Sequence, residues 1–459
     1  MVALSPQAET TLPHSVTLSY IGPVLPIVFL FGPVSVLQGI YAKYFGLPLT
    51  AIASVILIGR LFDAITDPLV GYAVDRHTAR GGSRKPFLAA GVLLLLIASW
   101  FLYIPQGDIT LSYFLLGYLA VYLAFTLFEI PHMAWPSQLT ASSRQRSTLY
   151  TLRAAMGMVG GLVFYLVPQL PVFDSSDITP QTLQWSVYLA YLLVIPTVWF
   201  CLVHTPNGHG SDQPIKQTVP QDNLRQVLHS VVQNPPLLIL LLASACMFLG
   251  GGLGSMMLFL FVDVYLGMGE HFALVSMLGM GASLASLKGW HYASQRWDLK
   301  KLWLSGIAIM GAGALGTGLL SPGDHWLYLL LWIVLTLSGG SVFAIAIPTL
   351  LAKAVDYGTW KFGIERSATY FSLYAFLSKT LTAVGGSVGL AIAGWYSFDP
   401  TATSFSESAV FGIRLVIAWL PLLILALGAA LVIAIPITDR QYRAIRQRLD
   451  QRQTPLNSH

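Results

Sequence analysis

The sequence predicts an all-α membrane protein in which twelve transmembrane helices form two halves of six. Three observations predict this fold class. Of the 459 residues, 55% are hydrophobic and only 10% are charged, whereas soluble domains carry about 25% charged residues. Apolar runs long enough to cross a bilayer as helices, about 20 residues each, recur along the chain. Motifs of the first half also return, in order, in the second half.

The apolar runs place the spans in order along the chain. They cover residues 16–43, 48–74, 86–106, 110–135, 145–170, 182–204, 232–262, 271–294, 301–320, 325–352, 366–396 and 410–436. A polar segment rich in turn-forming residues separates spans six and seven. The predicted domains are an N-terminal half (1–204), a cytoplasmic linker (205–231), a C-terminal half (232–438) and a basic cytoplasmic tail (439–459).

Basic residues are concentrated in the loops on one side of the predicted membrane. They are Arg76, Arg80, Arg84, Lys85, Arg144, Arg146, Lys216, Arg225, Arg296, Lys300, Lys301, Lys361, Arg366 and the tail residues Arg440, Arg443, Arg446, Arg448 and Arg452. The positive-inside rule makes that side the cytoplasm, so both termini are predicted to be cytoplasmic, in a plasma (cell inner) membrane. Short basic loops of this kind do not indicate nucleic-acid binding. The two cysteines have no metal-site spacing, and no cofactor is predicted.

The second span carries three charged residues inside an apolar run, namely Arg60, Asp63 and Asp67. Steps of three and four residues place them on one helix face. Each charge at mid-membrane depth costs about 2.5–3.5 kcal/mol on insertion scales. Two carboxylates at that depth therefore indicate a functional role. The pattern predicts a coupling-ion site. The alternative is that Arg60 and Asp63 only pair to lock two helices together, but that pair would not need Asp67.

The two halves share three short motifs in the same order. Ile130-Pro131, Arg146-Ser-Thr-Leu-Tyr150 and Gly160-Gly161 correspond to Ile347-Pro348, Arg366-Ser-Ala-Thr-Tyr370 and Gly385-Gly386. Spans four and five therefore resemble spans ten and eleven. Internal repeats with a solute site near the bilayer midplane are typical of secondary transporters. Chance similarity between apolar helices is the alternative explanation.

Several motifs together resemble one known family. They are Arg60-Leu-Phe-Asp-Ala-Ile-Thr-Asp-Pro68 with the following Gly71, Asp75-Arg76 and Arg84-Lys-Pro86, then Phe125-Thr-Leu-Phe-Glu-Ile-Pro131, and then Val355-Asp-Tyr-Gly358 with Lys361-Phe-Gly363 and Lys379. They resemble the glycoside–pentoside–hexuronide:cation symporters, which belong to the major facilitator superfamily. The resemblance covers the whole chain. It implies that superfamily's fold, alternating access and cation-coupled transport.

The resemblance places Asp63, Asp67 and Thr126 at the family's cation-site positions, which would make them the metal ligands if the cation is Na⁺. Two carboxylates, the Thr126 hydroxyl and the Thr66 hydroxyl are hard oxygen ligands, which suit Na⁺. A proton would need only one buried carboxyl group. The donor set therefore favours Na⁺ over H⁺ and leaves Li⁺ open as a substitute.

The resemblance also places Glu129, Arg153 and Lys379 at solute-binding positions. A structural bridge from Glu129 to Arg153 or Lys379 is the alternative. At two other positions, the chain has Val28 and Met133 where the family's sugar permeases have an acid and a tryptophan. These departures predict a more apolar pocket and a solute with an apolar portion.

Two aromatic residues near these departures are further solute-contact candidates. Tyr20 begins the first span, and Trp135 lies close to Met133. Other positions match the family's loop signature and are assigned to conformational gating. They are Arg60, Gly71, Asp75, Arg76, Arg84, Asp356 and Arg366. Gly71 is expected to let two helices approach closely.

The sequence therefore predicts a cation-coupled symporter of a glycoside or related small organic solute, working as a monomer in the lipid bilayer. The alternatives are a transporter of a lysolipid-like amphiphile or other non-sugar solute, and an uncoupled facilitator. An enzyme is not predicted, because an intramembrane enzyme needs a nucleophile–base or metal set. His132 in span four stands alone in the sequence and is interpreted as a packed histidine.

Overall fold

The structure, a computed structural model, describes residues 12–140, 142–207, 229–363 and 366–436, together with residues 442, 444, 445, 447 and 448. These residues form helices and connecting turns, and they include no strand. Twelve helices within them are long and apolar enough to cross a membrane. The predicted fold class is therefore confirmed. Most of the predicted linker (205–231) and tail (439–459) lies outside the described residues.

The chain divides into two compact units. The first comprises Met1–Leu47 and Ser54–Lys216, and the second comprises Pro48–Ala53 and Gln217–His459. The first turn of span two is therefore grouped with the second unit. The residues of both candidate clusters described below, apart from Lys379, belong to the first unit.

Spans two to six are each built around one long helix, whereas span one consists of three short helices. Their helices are His14–Ile21, Val24–Phe31 and Leu37–Phe45 (span one), Leu49–Ala79 (two), Lys85–Tyr103 (three), Leu111–Ala134 (four), Ser143–Leu166 (five) and Pro180–His204 (six). Span two extends past its predicted end at residue 74, so the Asp75-Arg76 motif is helical.

The last six spans follow the same pattern. Their helices are Pro235–Leu260 (span seven), Gly269–Ser294 (eight), Leu299–Leu319 (nine), Trp326–Ser341 and Phe343–Phe362 (ten), Ser367–Trp395 (eleven), and Glu407–Arg414 and Leu420–Ala434 (twelve). Spans seven and twelve each contain a π-helical turn, at Phe261–Tyr265 and Leu415–Trp419.

Span one is broken, although the apolar pattern predicted one continuous helix over 16–43. The first helix ends at Ile21, and the next begins at Val24 after Gly22 and Pro23. A second break follows at the 3₁₀ turn Gly32–Ser35, which contains Pro33. Proline has no backbone N–H and clashes with the preceding turn, so it interrupts a helix that hydropathy alone predicts to be continuous.

The repeated glycines have equivalent neighbours in the two units. A Cβ added at Gly160 of span five would lie 2.3 Å from the backbone oxygen of Leu25 in span one. A Cβ added at Gly385 of span eleven would lie 2.4 Å from the backbone oxygen of Leu249 in span seven. Each glycine therefore allows backbone-to-backbone contact between the fifth and first helix of its own unit. This equivalence supports the internal repeat.

We expect Gly160→Ala to destabilise the protein. An added methyl group would press on a backbone atom that no side-chain rotation can move, and overpacking of this kind costs about 1–3 kcal/mol or more. Helix propensity alone predicts the opposite sign, because alanine is favoured over glycine by about 1 kcal/mol in a helix interior. The measurement is the thermal unfolding midpoint of the purified protein in detergent.

Gly71→Ala is the matched control. The sequence assigned Gly71 to a close helix approach, but that expectation is wrong, because among the described residues no heavy atom outside its own helix lies within 4 Å of a Cβ added there. The substitution is expected to leave the unfolding midpoint unchanged or raise it slightly. Equal destabilisation by both variants would contradict the role given to Gly160.

Candidate functional site

One face of span four carries the polar side chains around which the candidate site is built. Tyr118, Tyr122, Thr126, Glu129 and Met133 follow one another at steps of three and four residues. This spacing stacks them on one side of the helix Leu111–Ala134. Span two contacts this face at Tyr122 and Thr126, and span five contacts it at Glu129.

The carboxylate Asp67 is joined to span four by a hydrogen bond. The Thr126 hydroxyl donates to Asp67 Oδ1 at 2.9 Å, and Thr126 is buried. Asp63 is one helical turn earlier on span two and is also buried. The structure therefore places both carboxylates of span two and the Thr126 hydroxyl in one region of the first unit.

Arg60 pairs with Asp63 inside span two. The Nη1 atom of Arg60 lies 3.1 Å from Asp63 Oδ2, and the two residues are three positions apart on the same helix. The sequence-based alternative, that this pair locks two helices together, is therefore wrong, because both partners lie on the same helix. The link to span four comes instead from Arg60 Nη2, which donates to the Tyr122 hydroxyl at 3.0 Å.

Tyr118 extends this contact along span four. Its hydroxyl donates to the Tyr122 hydroxyl at 3.1 Å, and the Arg60 guanidinium carbon lies 4.9 Å from the centre of the Tyr122 ring. A Cβ added at Gly59 would lie 2.6 Å from the Tyr118 ring. Span two therefore packs closely on these two tyrosines, which the sequence reasoning did not single out.

The donor set near Asp67 fits a small hard cation. Carboxylate and hydroxyl oxygens are the ligands such cations prefer. Thr66 donates its hydroxyl to its own helix, to Phe62 O at 3.0 Å, so only its lone pairs remain for a cation. No group of three or more His, Cys, Asp or Glu residues within the described part of the chain has metal-site geometry.

A second cluster begins one turn further along span four. Glu129 Oε2 and Arg153 Nη2 form a salt bridge between spans four and five. Arg153 Nε also donates to His132 Nδ1 at 3.2 Å. The Glu129–Arg153 bridge that the sequence offered as a structural alternative is thus present. Solute binding by the same pair requires polar atoms that the bridge leaves available.

Such atoms remain on both partners. Glu129 is 31% exposed at its side chain and Arg153 is 13% exposed. Among the described residues, neither Glu129 Oε1 nor Arg153 Nη1 has a hydrogen-bond partner. The bridge therefore offers an acceptor and a two-proton donor side by side.

Apolar and aromatic groups surround this second cluster. Met133 is 42% exposed, and Val28 is half-buried on span one, close to Gly157 of span five. The Tyr150 hydroxyl donates to Met133 O at 3.3 Å. A cavity of about 790 Å³ lies along span five and is lined by Arg146, Ser147, Tyr150, Thr151, Ala154, Ala155 and Met158.

Two solute-contact candidates are enclosed in the first unit. Tyr20 and Trp135 are both fully buried. The Tyr20 hydroxyl donates to His132 O at 3.2 Å, and the Trp135 indole nitrogen donates to Pro206 O at 3.2 Å. Their polar atoms are thus bonded inside the protein and neither side chain is exposed, in contrast to the expectation that both contact a solute. Lys379 lies on span eleven in the second unit and is exposed.

Three gating candidates of the first unit lie between the last turns of span two and the start of span three. Asp75 and Arg76 are exposed. Arg84 is buried and donates from Nε to Gln138 Oε1 at 2.9 Å. Burial lowers the pKa of Arg84, and the charge of Asp75 acts in the opposite direction. Gln138, which anchors Arg84, was missed by the sequence reasoning.

The gating candidates of the second unit lie at the ends of spans ten and eleven. Asp356 accepts a hydrogen bond from the Tyr442 hydroxyl at 2.8 Å. The Lys353 Nζ atom lies 5.1 Å from the centre of the Tyr442 ring, within the range of a cation–π contact. Arg366 lies at the start of the span eleven helix.

Sequence reasoning missed several residues that complete these clusters. Tyr118, Tyr122 and Tyr150 are in this group, and His132 was interpreted only as a packed residue. The tyrosines of span four could have been found, because they share the helical face of Thr126 and Glu129. The role of His132 could not, because its partners lie on two other helices.

Comparison with known proteins gives a consistent result. The sequence model of a family described as MFS/sugar transport protein matches residues 19–439. An uncharacterised symporter of Bacillus subtilis, YjmB, is 25% identical over 89% of this chain and 90% of its own length. The glucuronide carrier protein homolog of Escherichia coli is 25% identical, with 90% of each chain covered.

A solved structure with a similar fold is a bacterial homologue of the human lysosomal transporter Spinster, in an inward-facing, unoccupied conformation. The TM-score is 0.66 at 15% sequence identity, and the alignment covers 96% of this chain and 98% of the other. At this identity the likeness concerns the fold alone.

Proposed function

Since the chain belongs to the MFS/sugar transport protein family, we propose that it is a symporter that couples a cation to a glycoside by alternating access. The membership agrees with the resemblance to glycoside–pentoside–hexuronide:cation symporters that the motifs carry. It makes the chain a membrane transporter and not an enzyme.

The observation that carries the proposal is the position of Thr126 and Glu129. Thr126 contacts the carboxylate Asp67, and Glu129 forms the bridge with Arg153. The two residues are one helical turn apart on the same face of span four, about 4.5 Å along the axis. A cation that tightens the contact between spans two and four would therefore act next to the proposed solute-binding residues Glu129 and Arg153.

Asp63, Asp67 and Thr126 are the proposed cation ligands, with Thr66 as a further oxygen. Two carboxylates and hydroxyl groups favour Na⁺ over H⁺, because a proton needs one carboxylate only, and Li⁺ remains a candidate substitute. Binding of the cation raises solute affinity, and by thermodynamic linkage the solute raises cation affinity by the same factor.

Glu129 and Arg153 are the proposed binding residues for the polar head of the solute. Lys379 of span eleven is proposed as a further positively charged side chain that binds it. The acceptor Glu129 Oε1 and the donor Arg153 Nη1 match neighbouring hydroxyl groups of a sugar, one of which donates while the other accepts. A guanidinium group also matches the carboxylate of a uronic acid. The E. coli relative that carries the word glucuronide in its name favours such a solute.

A second candidate is an amphiphile with a charged head. The exposed thioether of Met133 and the apolar Val28 favour it, because methionine adapts to irregular apolar surfaces and offers no directional hydrogen bond. Both candidates share a polar or charged head and an apolar portion. A glycoside with a hydrophobic aglycone satisfies this chemistry best.

The proposed setting is the plasma membrane, with both termini in the cytoplasm and a monomer as the working unit. Asp75, Arg76 and Arg84 in one unit, and Asp356 and Arg366 in the other, bias the two orientations of the transporter. Basic residues in short loops on one side support the orientation.

The proposal is tested by transport of p-nitrophenyl β-D-glucuronide into proteoliposomes. We expect an inward Na⁺ gradient to drive its accumulation, and we expect melibiose to be transported poorly or not at all. An unsubstituted galactoside loses the hydration of its hydroxyl groups, and Val28 and Met133 return no hydrogen bonds. Competition by melibiose against the labelled glucuronide gives the affinity ratio.

A proton gradient and a gradient-free sample are the controls. Accumulation driven only by the proton gradient would show that the coupling ion is H⁺ and not Na⁺, and the protein would still be a symporter. Equilibration without accumulation under every gradient would overturn coupling in favour of a facilitator. Robust Na⁺-driven melibiose transport would overturn the proposed solute class.

A further inference from the structure

His132 is held at both of its ring nitrogens inside the first unit. It is fully buried. Its Nδ1 faces Arg153 Nε at 3.2 Å, and its Nε2 lies 2.9 Å from the backbone oxygen of Tyr20. One imidazole therefore joins span four to span five on one side and to span one on the other.

The partners fix the tautomer of this imidazole. An arginine side chain only donates hydrogen bonds, so His132 Nδ1 must accept, and the ring proton must be on Nε2. That proton is donated to Tyr20 O. Tyr20 lies in the last turn of the helix His14–Ile21, where backbone carbonyls have no partner within the helix. The break in span one thus supplies the acceptor.

Stacking fixes the plane of the ring as well. The Tyr20 ring lies parallel to the imidazole, with centroids 4.3 Å apart and an interplanar angle of 5°. The Phe128 ring stacks against it at 4.9 Å and 22°. The Tyr20 hydroxyl also donates to His132 O at 3.2 Å. Tilting the ring would break both stacks, and a half-turn would move both nitrogens away from their partners, so Nδ1 stays aimed at Arg153.

We propose that His132 is a positioning residue that orients the Arg153 guanidinium toward the solute. The guanidinium group is planar and rigid, so two contacts determine its orientation. Glu129 holds Nη2 and His132 holds Nε, which leaves Nη1 as the donor presented to the solute. This inference rests on the proposed function only in its assignment of Arg153 to solute binding.

Three variants separate the parts of this contact. His132→Phe keeps an aromatic ring between Tyr20 and Phe128 and removes both hydrogen bonds. His132→Asn places an amide oxygen near the position of Nδ1 and keeps the acceptor for Arg153. His132→Gln places its amide near the position of Nε2 and keeps the donor to Tyr20 O.

Binding is measured with p-nitrophenyl β-D-glucuronide and, separately, with Na⁺ in the absence of that probe. We expect His132→Phe and His132→Gln to weaken probe binding about tenfold, as for the loss of one hydrogen bond to a charged group. His132→Asn should recover most of the affinity. Na⁺ affinity should be unchanged in all three. Equal probe binding by His132→Phe and the parent, or equal losses in Asn and Gln, would overturn the proposal.

A double substitution tests whether the effect passes through Arg153 Nε. Lysine keeps the positive charge of Arg153 but has no N–H group at the Nε position. In the Arg153→Lys background, adding His132→Phe should change probe affinity less than about twofold, well below the effect of a broken hydrogen bond. A loss as large as in the parent background would assign His132 to a structural role only.

A measurement without any solute keeps this inference separate from the proposed function. In protein labelled with ¹⁵N-histidine, the His132 signal is identified by its loss in His132→Phe. We expect it to report an unprotonated Nδ1 whose shift changes in Arg153→Lys. Failure of the parent to bind the probe would count against the proposed solute. A protonated Nδ1, or no response to Arg153→Lys, would overturn the His132 contact itself.

Discussion

Asp67→Asn is expected to abolish gradient-driven accumulation of solute while the protein still folds and inserts. The asparagine Oδ1 can accept the Thr126 hydroxyl in place of the carboxylate oxygen that accepts it now, so the contact between spans two and four is kept. The substitution removes the negative charge. A charge pair about 4 Å apart is worth about 4 kcal/mol at an effective dielectric constant of 20, which corresponds to about a thousandfold in cation affinity.

The measurement is Na⁺-driven accumulation of p-nitrophenyl β-D-glucuronide, together with direct Na⁺ binding. Asp108→Asn is the matched control, because Asp108 is an exposed residue of the same unit, and it should behave like the parent. Normal accumulation by Asp67→Asn would refute the coupling role.

Asp63→Asn should also abolish accumulation, with an additional cost. Its carboxylate is the partner of Arg60 Nη1, and the substitution leaves a partly buried guanidinium without its counter-charge. Removing one partner of a buried ion pair costs about 3–5 kcal/mol. We therefore expect a lower unfolding midpoint for Asp63→Asn than for Asp67→Asn. Equal midpoints would contradict a stabilising role of the Arg60–Asp63 pair.

Arg153→Ala is expected to weaken solute binding by about 10- to 150-fold, which is the equivalent of one hydrogen bond to a charged group. The substitution removes the donor Nη1 and also leaves Glu129 and His132 without their shared partner. Na⁺ binding measured without solute should change much less, because Arg153 bonds to Glu129 and His132, one helical turn along span four from Thr126. Lys379→Ala should act in the same direction from span eleven.

Arg80→Ala is the control for Arg153→Ala, because Arg80 is an exposed arginine in a loop of the same unit. It removes the same charge far from the cluster. If Arg153→Ala binds the solute like the parent, the bridge between Glu129 and Arg153 is structural. If it lowers Na⁺ and solute affinity equally, the loss reflects misfolding of the cluster and not a missing contact.

Much of the candidate site follows from helical periodicity. The sequence alone determined which residues share a face: Asp63 with Asp67 on span two, and Thr126 with Glu129 on span four. Hydropathy alone predicted the spans, because a backbone in lipid must bond to itself and helices are then the default. These are local properties, and they require no knowledge of which helices touch.

The tertiary structure decided the partners of those residues. Arg60 pairs within its own helix and reaches Tyr122, Gly160 and not Gly71 makes the close helix contact, and Tyr20 is enclosed instead of facing a solute. Such contacts depend on how each helix is rotated and where span one breaks at Pro23. His132 shows the limit most clearly, because its neighbours come from spans one and five, and packing between helices distant in sequence brought them together.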